Sequence, residues 1–189
     1  MNDIDYPYSP ATLQWPRSQK PILIVIHTME APEIDSTAEA CAKFFQKPNA
    51  QGSAHLCIDN DSIRQCVPYS RMAAGARGGP YNGKSVNTWS IHLEHAGYAK
   101  QTLAEWSDPY SQKERFWSSI ACAKICVQFG IHSNLPTIEE LRAGKGGITT
   151  HWMVSQAFKV GSGHWDPGPN FPLQAYRDAV ANWIPHVKV

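Results

Sequence analysis

The most constraining feature of this sequence is an uninterrupted aliphatic run, Ile22 to Ile26, which follows Pro21 and ends at His27. Such a run is typical of a strand buried on both faces, in the centre of a sheet that helices cover. Strand-like and helix-like patterns alternate along the rest of the chain, which predicts an α/β or α+β domain with a central mixed sheet flanked by helices. His27 then lies at the carboxyl end of a central strand, where such folds place their sites, although a histidine hydrogen-bonded in the core is an equal alternative.

The remaining elements follow from periodicity and from residues typical of helix ends. Capping boxes at Ser36–Glu39 and Ser111–Glu114 predict two helix starts, with Cys41, Phe44 and Phe45 facing inward on the first. Phe116, Ile120, Ala123 and Val127 mark the inward face of the second helix, which Gly130 ends. Further strands are predicted over 54–59, 62–68 and 89–95, a short helix from 137 to near 144, a final helix over 173–183, and irregular loops over 70–88 and 161–172.

The N-terminal residues 1–20 carry three prolines and predict an extended arm, so that the catalytic domain would occupy residues 21–189. The first residues show no basic and apolar segments of a secretory signal, and we therefore expect synthesis in the cytoplasm. The longest apolar run is too short to cross a bilayer, which argues against membrane insertion.

Charge and cysteine content exclude several classes of function. Lys and Arg total 17 against 16 for Asp and Glu, so the chain lacks the basic excess expected of a nucleic-acid-binding protein. The five cysteines include no C-x-x-C pair, and they indicate buried thiols rather than a disulfide framework or a thiolate metal site.

His27, His151 and Asp166 stand out as metal-ligand candidates. Two histidines and one carboxylate, with a fourth position open to water, are the ligand pattern of a catalytic zinc site, which activates water at neutral pH. The spacing alone does not show that they meet, and no H-E-x-x-H motif is present. Asp166 precedes Pro167-Gly168, so an Asx-turn is the commoner alternative for this aspartate.

Five segments occur in an order that resembles a known family. They are Ile24-Val25-Ile26-His27-Thr28, Ser53-Ala54-His55-Leu56-Cys57-Ile58-Asp59, Asn87-Thr88-Trp89-Ser90-Ile91-His92-Leu93-Glu94, Gly147-Ile148-Thr149-Thr150-His151, and His164-Trp165-Asp166-Pro167-Gly168-Pro169-Asn170-Phe171-Pro172. This order resembles the zinc N-acetylmuramoyl-L-alanine amidases related to phage endolysins and peptidoglycan-recognition proteins. The resemblance covers roughly residues 20–180 and implies a mixed sheet with a zinc cleft on one face.

The resemblance also implies residue roles. His27, His151 and Asp166 match the zinc ligands, Glu94 matches a catalytic acid/base, and His164 matches a position that stabilises the oxyanion. Without the resemblance, Glu94 would be interpreted as an exposed strand residue and His164 as a surface histidine. The candidate substrate-binding residues are His55, Asn87 and Trp152, although a structural role for His55 is equally compatible with its strand. Some family members carry a tyrosine at the position of Ala54 and a histidine near Ala73, and this chain has neither.

The resemblance implies that the substrate is peptidoglycan and the reaction hydrolysis of the amide between the lactyl group of N-acetylmuramic acid and L-alanine. We expect a monomeric phage-type lysin that needs Zn²⁺ and acts on the cell wall after release. Two alternatives remain open, namely an amidase that recycles muramyl peptides in the cytoplasm and a recognition module without catalysis. The latter class typically lacks a zinc ligand, whereas all three positions are filled here.

Overall fold

A five-stranded mixed sheet forms the centre of the protein in the computed structural model, which describes residues 4–79, 81–158 and 163–188. The strands are β1 (Gln14–Pro16), β2 (Leu23–Thr28), β3 (Leu56–Ile58), β4 (Ile63–Gln65), β5 (Arg71–Ala73), β6 (Ser90–His95) and β7 (Gly147–Thr150). The helices are α1 (Thr37–Phe45), α2 (Pro109–Phe129), α3 (Ile138–Arg142), α4 (His151–Phe158) and α5 (Leu173–Trp183), with short 3-10 turns at Val86–Thr88 and Glu105–Ser107.

The sheet has the strand order β4-β3-β6-β2-β7, in which β4 is antiparallel to β3 and the other pairings are parallel. All six residues of β2 are buried, as the aliphatic run predicts for a strand covered on both faces. A separate two-stranded antiparallel pair joins β1 to β5. The mixed sheet flanked by helices confirms the predicted fold class.

Alternate residues of β2 contact different helical layers. Ile24 and Ile26 belong to the core cluster that includes α2 and α5, whereas Leu23 and Val25 belong to the cluster that includes α3 and α4. Because side chains alternate along a strand, His27 lies on the same face as Leu23 and Val25. In the parallel register His27 is paired with Glu94 of β6, so the two polar side chains lie side by side on that face.

The predicted capping box at Ser36 is wrong. Ser36 makes no capping hydrogen bond, and the Ala38 N–H in the first turn of α1 donates to the Asp59 carboxylate at 2.9 Å instead. Glu39, the other half of the predicted box, pairs with Arg64 of β4 at 3.0 Å. Tertiary partners for both groups therefore replace the local cap.

The capping box predicted at Ser111 is also wrong, because α2 begins earlier, at Pro109. The Asp108 carboxylate accepts the Ser111 N–H at 2.8 Å and caps the helix. Glu114 is fully buried and accepts the Ala96 N–H instead of closing a local box. Gly130 ends α2 in the left-handed conformation, as predicted.

The predicted inward faces of α1 and α2 are partly wrong. Three residues predicted to face inward are exposed: Phe44 on α1 (48%), and Phe116 (46%) and Val127 (38%) on α2. The buried face of α2 consists largely of small residues, namely Ser111, Glu114, Ser118, Ser119, Ala121, Cys122, Ala123, Ile125, Cys126 and Phe129. Small and polar side chains give an inward face little hydrophobic periodicity, so the sequence pattern favours the large exposed residues instead.

The prediction of an irregular loop over 70–88 is partly wrong, because this segment contains β5 and the 3-10 turn at Val86–Thr88. The other predicted elements agree with the structure in kind. The helices starting at Thr137 and at Leu173 are present, and Thr137 and Glu140 form a capping box. The helix α4 was missed by the sequence analysis because it follows β7 without a separating turn signal. The predicted irregular loop over 161–172 contains no helix or strand in its described part, and residues 161–162 lie outside the described residues. Within the described ranges, no helix is long and apolar enough to span a membrane.

The N-terminal arm is fastened to the domain by the side chain of Arg17. Its guanidinium donates to backbone carbonyls at five positions, at distances from 2.7 to 3.3 Å. These carbonyls belong to Tyr69, Arg71, Asn87, Thr88 and Ser90. One side chain thus ties the arm to the beginnings of β5 and β6 and to the residues just before them.

We expect Arg17→Met to lower the free energy of unfolding by about 2–4 kcal/mol, because several carbonyls would lose a charged donor. Urea denaturation followed by circular dichroism measures this change. Lys20→Met, at an exposed position of the same arm, is the matched control and should change stability by less than about 0.5 kcal/mol. Equal stabilities of the two variants would contradict a fastening role for Arg17.

Candidate metal centre and active-site cleft

Three buried side chains, His27, His151 and Asp166, converge at the carboxyl end of the central strands. Their potential ligand atoms all lie within 4.8 Å of one another. His27 Nδ1 is 3.1 Å from Asp166 Oδ2, and His151 Nδ1 is 3.0 Å from Asp166 Oδ1. The structure therefore brings together the three residues that the sequence analysis selected as ligand candidates.

Strand order explains how residues so distant in sequence meet. His27 lies near the carboxyl end of β2, and His151 directly follows the neighbouring strand β7 as the first residue of α4. Asp166 lies in the loop beyond α4, and its carbonyl accepts the N–H of Trp152 at 3.0 Å. Its side chain contacts the two imidazoles, which is not the contact expected of an Asx-turn.

The loop that carries Asp166 is held against the preceding chain by Gly168. This glycine has a φ of +86°, and a Cβ built on it would be 1.8 Å from the Ala99 carbonyl oxygen. Only glycine is compatible with both the left-handed backbone and this close approach. The Asp166–Pro167 peptide bond next to it is cis.

The protonation states of the cluster suit a cation. Burial lowers the pKa of His27 to about 4, and the neighbouring Asp166 carboxylate only partly opposes this shift. Burial acts to raise the pKa of Asp166, but the close contacts with His151 and His27 outweigh burial and hold the pKa below its usual value. At neutral pH the cluster therefore contains a neutral imidazole at His27 and an ionised carboxylate at Asp166.

The spacing and donor set fit a metal ion. Two ligand atoms at 2.0–2.1 Å from a tetrahedral ion are about 3.3 Å apart. The measured separations of 3.0 to 3.2 Å between the His Nδ1 atoms and the Asp166 oxygens are close to that value. In addition, His151 Nε2 is buried and has no hydrogen-bond partner among the described residues.

Glu94 lies beside this cluster at the end of β6. Its Oε2 atom is buried and has no hydrogen-bond partner in the described part of the chain. Burial, and then the nearby Cys41, Asp166 and Glu30, raise the pKa of Glu94 well above its usual value. A carboxyl group with an unused oxygen and a raised pKa is a candidate for proton transfer in catalysis.

His164 lies on the open side of the cluster. Its ring stacks on His151, with centroids 4.2 Å apart, and its Nδ1 is 3.8 Å from Asp166 Oδ1. Partial burial, and then the neighbouring His151, lower the pKa of His164 below its usual value. A neutral, half-exposed imidazole at this place is available as a hydrogen-bond donor to a bound molecule.

The cluster lies in a cleft of about 500 Å³. Six of the eight candidate site residues line it, namely His27, Asn87, Glu94, His151, His164 and Asp166. The loop predicted over 70–88 supplies Ala74 to Arg77 and Asn87 to the cleft. Long loops in compact domains tend to carry function, and this loop does form part of the cleft wall.

The structure does not bring His55 and Trp152 into the cleft lining. His55 is fully buried, where its Nδ1 accepts the His92 N–H at 3.0 Å and its Nε2 contacts the Arg71 carbonyl at 3.1 Å. Trp152 lies in the first turn of α4 and is 47% exposed. Direct contact with a substrate in the cleft is therefore closed to His55, and Trp152 is positioned for contacts outside the cleft.

Sequence reasoning did not select Glu30, Gln51, Ser53 or Arg77, which also line the cleft. Glu30 has a positive φ of 51° and accepts hydrogen bonds from Thr28 and from the Ala99 N–H. A charged residue two positions after the strand that ends in Thr28 is the signal that could have identified Glu30. The other three lie in loops, where sequence periodicity carries no information about direction.

Known structures share this architecture. The chain is similar to a Staphylococcus aureus hydrolase, AmiA, solved with its ligand, at 15% identity and a TM-score of 0.69, covering 97% of this chain and 85% of that chain. It is similar to AmpD at 21% identity and a TM-score of 0.65, covering 93% and 94%. A mutant endolysin from Bacillus subtilis matches at 15% identity and a TM-score of 0.62, covering 94% and 99%. At these identities the likeness shows a shared fold.

The sequence places the chain within one class of hydrolase. The family model Amidase_2, described as N-acetylmuramoyl-L-alanine amidase, matches residues 17–169. The chain belongs to this family, as the resemblance in the sequence predicted, and it is thus an amidase that acts on peptidoglycan. A search of curated proteins finds no significant match.

We expect Gly168→Ala to lower the free energy of unfolding by about 2 kcal/mol or more, because it adds a clash with the Ala99 carbonyl to an unfavourable φ. Gly83→Ala is the matched control, since Gly83 has a φ of +77° but no atom within 4 Å of the position that a Cβ would take. That variant should lose only about 1 kcal/mol from the backbone conformation. Equal losses, measured by urea denaturation, would show that the close approach does not matter.

Proposed function

We propose that the chain is a zinc-dependent N-acetylmuramoyl-L-alanine amidase that hydrolyses the amide between the lactyl group of N-acetylmuramic acid and L-alanine. His27, His151 and Asp166 would hold the zinc ion, and Glu94 and His164 would act on the substrate. The observation that carries this proposal is the buried ligand cluster at the base of the cleft, with an unpartnered Glu94 oxygen beside it.

When bound, zinc would supply Lewis-acid activation of the amide carbonyl and lower the pKa of a bound water to about 7. Glu94 takes the proton of the attacking water on its carboxylate and returns it to the nitrogen of the leaving L-alanine. The Oε2 atom of Glu94, which has no partner among the described residues, can hold this proton, and a raised pKa makes the carboxylate a stronger proton acceptor.

His164 donates a hydrogen bond to the oxygen on which negative charge develops. Its ring is held by stacking on His151 and faces the cleft, so little reorientation is needed during the reaction. Its pKa is lowered, so the group that acts at neutral pH is a neutral N–H donor. Stacking on a ligand candidate therefore positions the donor next to the reacting carbonyl.

Asn87 and Trp152 are proposed to bind the rest of the substrate. The Asn87 Oδ1 already accepts the Ala76 N–H at 3.0 Å, which leaves the amide NH₂ to donate to the stem peptide. The exposed indole of Trp152, adjacent to His151, offers a face on which a sugar ring can stack. The sequence candidate His55 would contribute only through the backbone of β6, where it accepts the His92 N–H.

We further propose that the protein acts as a monomer and as a cell-wall lysin, with residues 21–189 as the catalytic domain and residues 1–20 as its arm. The complete ligand set favours catalysis over a recognition module that binds the wall without cutting it. A recycling amidase would use the same residues but prefer small muramyl peptides to intact sacculi.

Digestion of peptidoglycan tests the activity and its metal dependence together. The zinc-loaded protein should release stem peptides that begin with L-alanine, detected by mass spectrometry, and chelation should abolish their release until zinc is restored. Intact sacculi and soluble muramyl peptides are supplied in parallel. Cleavage confined to the soluble fragments would replace the lysin role by recycling, and wall binding without cleavage would replace the amidase by a recognition module.

Two variants separate metal binding from proton transfer. We expect Glu94→Gln to keep stoichiometric zinc but to lose about 10²–10⁴-fold in turnover, because the amide is isosteric and does not titrate. We expect His151→Ala to lose both zinc and turnover. Zinc content measured by elemental analysis and peptide release measured on the same samples give both readouts. Near-normal turnover of Glu94→Gln, or full zinc content of His151→Ala, would contradict the assigned role of that residue.

A further inference from the structure

A chain of hydrogen bonds runs from His27 away from the cleft, through a second histidine. His27 Nε2 is 2.9 Å from His92 Nδ1, and His92 Nε2 is 2.8 Å from Ser90 Oγ. Ser90 Oγ is in turn 2.9 Å from the Val86 carbonyl oxygen. His27, His92 and Ser90 are all buried, and the sequence analysis gave neither His92 nor Ser90 a role.

The carbonyl at the far end sets the direction of this chain. A carbonyl oxygen only accepts, so the single Ser90 hydroxyl hydrogen must point to Val86, and Ser90 Oγ accepts from His92 Nε2–H. His92 Nδ1 is then without a proton and accepts from His27 Nε2–H. The opposite direction would leave the Ser90 and Val86 oxygens facing each other at 2.9 Å with no hydrogen between them.

With the hydrogen bonds in this direction, the proton of His27 is on Nε2. Its Nδ1 atom, which faces the ligand cluster, has no proton. The Asp166 carboxylate, 3.1 Å away, also carries only lone pairs. Two such acceptors at this distance repel each other unless a cation lies next to both. The hydrogen bonds from His27 through His92 to Ser90 therefore favour the tautomer of His27 that is protonated at Nε2, which leaves Nδ1 able to bind a metal ion.

The ring of His92 has no room to turn. A Cβ on Gly75 would be 2.2 Å from the His92 Cγ, so the backbone at Gly75 lies directly against the imidazole. The His55 ring stacks on it at a centroid distance of 5.8 Å and an interplanar angle of 19°. The His92 N–H is also bonded to His55 Nδ1 at 3.0 Å, which fixes the backbone.

We propose that His92 is a positioning residue of the metal centre, which accepts the Nε2 proton of His27 and so presents the Nδ1 lone pair of His27 to the ion. This inference rests on the metal-dependent function proposed above. Hydrogen-bond partners of ligating histidines fix ring orientation and raise ligand basicity, and their loss typically weakens metal binding by about 10–100-fold. A second histidine, held by Ser90, fills this role here in place of a carboxylate or a backbone carbonyl.

Three substitutions at His92 separate hydrogen bonding from packing. An asparagine Oδ1 occupies nearly the place of the histidine Nδ1, so His92→Asn keeps an acceptor for His27. A glutamine amide reaches the place of Nε2, so His92→Gln contacts Ser90 but leaves His27 without its acceptor. His92→Leu removes both contacts, and His132→Asn, at an exposed position remote from the cleft, controls for the loss of a histidine.

Zinc affinity measured by competition with a chromophoric chelator is the first readout. We expect about 10–100-fold weaker binding for His92→Gln and His92→Leu, and affinities near that of the unsubstituted protein for His92→Asn and His132→Asn. Circular dichroism melts of the metal-free proteins confirm folding, and if His92→Leu does not fold, the Gln and Asn pair still decides the question.

Nuclear magnetic resonance of the zinc-loaded, nitrogen-15-labelled protein is the second readout. A scalar coupling across the hydrogen bond, with the proton on His27 Nε2 and His92 Nδ1 as acceptor, is the expected result. A proton on His92 Nδ1, or unchanged zinc affinity in folded His92→Gln, would overturn the inference and leave the proposed function intact. Absence of zinc binding by the unsubstituted protein would overturn the proposed function and this inference with it.

Discussion

The parallel pairing of β2 with β6 on one side and β7 on the other is the constraint on which the site depends. It brings the carboxyl ends of three strands to one edge of the sheet, with His27 and Glu94 in register and His151 directly after β7. A slip of one residue would turn His27 to the face where Ile24 and Ile26 pack. Since both faces of β2 are apolar, hydrophobicity alone does not choose between these registers. The observed register is stabilised by the polar contacts of His27 with Asp166 and His92 on its own face of the sheet.

Such a polar core is costly to bury unless each group finds a partner. The ring nitrogens of His27, His55 and His92 all contact another polar atom. In the described part of the site, the unsatisfied buried atoms are Glu94 Oε2 and His151 Nε2. The network is thus most complete away from the cleft and least complete beside it. In native proteins, buried polar atoms without hydrogen-bond partners are expected mainly at functional sites, and these two atoms lie at the candidate site.

The sequence predicted the central strand, the mixed sheet and the final helix, because a buried aliphatic run and strong amphipathic periodicity are local signals. It failed for the inward face of α2, where Ser118, Ala121 and Cys122 pack on the core while Phe116 is exposed. It also failed for the caps at Ser36 and Ser111: the first turn of α1 bonds to a tertiary partner, Asp59, and α2 begins earlier, with Asp108 as its cap. The ligand set came from ordered motifs and not from spacing, because no local pattern shows that residues 27, 151 and 166 meet. The contact between His92 and His27 depends on sheet register and was therefore beyond sequence reasoning.

Ser90 joins two parts of the molecule that the predicted domain boundary at residue 20 separates. Its carbonyl accepts a hydrogen bond from Arg17 at 2.9 Å, while its hydroxyl contacts His92 at 2.8 Å. Arg17 also donates to the carbonyls of Asn87 and Thr88, so the arm stabilises the turn that carries Asn87 and leads into β6 at Ser90. The family model likewise begins at residue 17 and not after the arm. A displacement of Arg17 would therefore also move Ser90, the first residue of β6. Because Ser90 contacts His92 and His92 contacts His27, the position of the His27 imidazole would change as well.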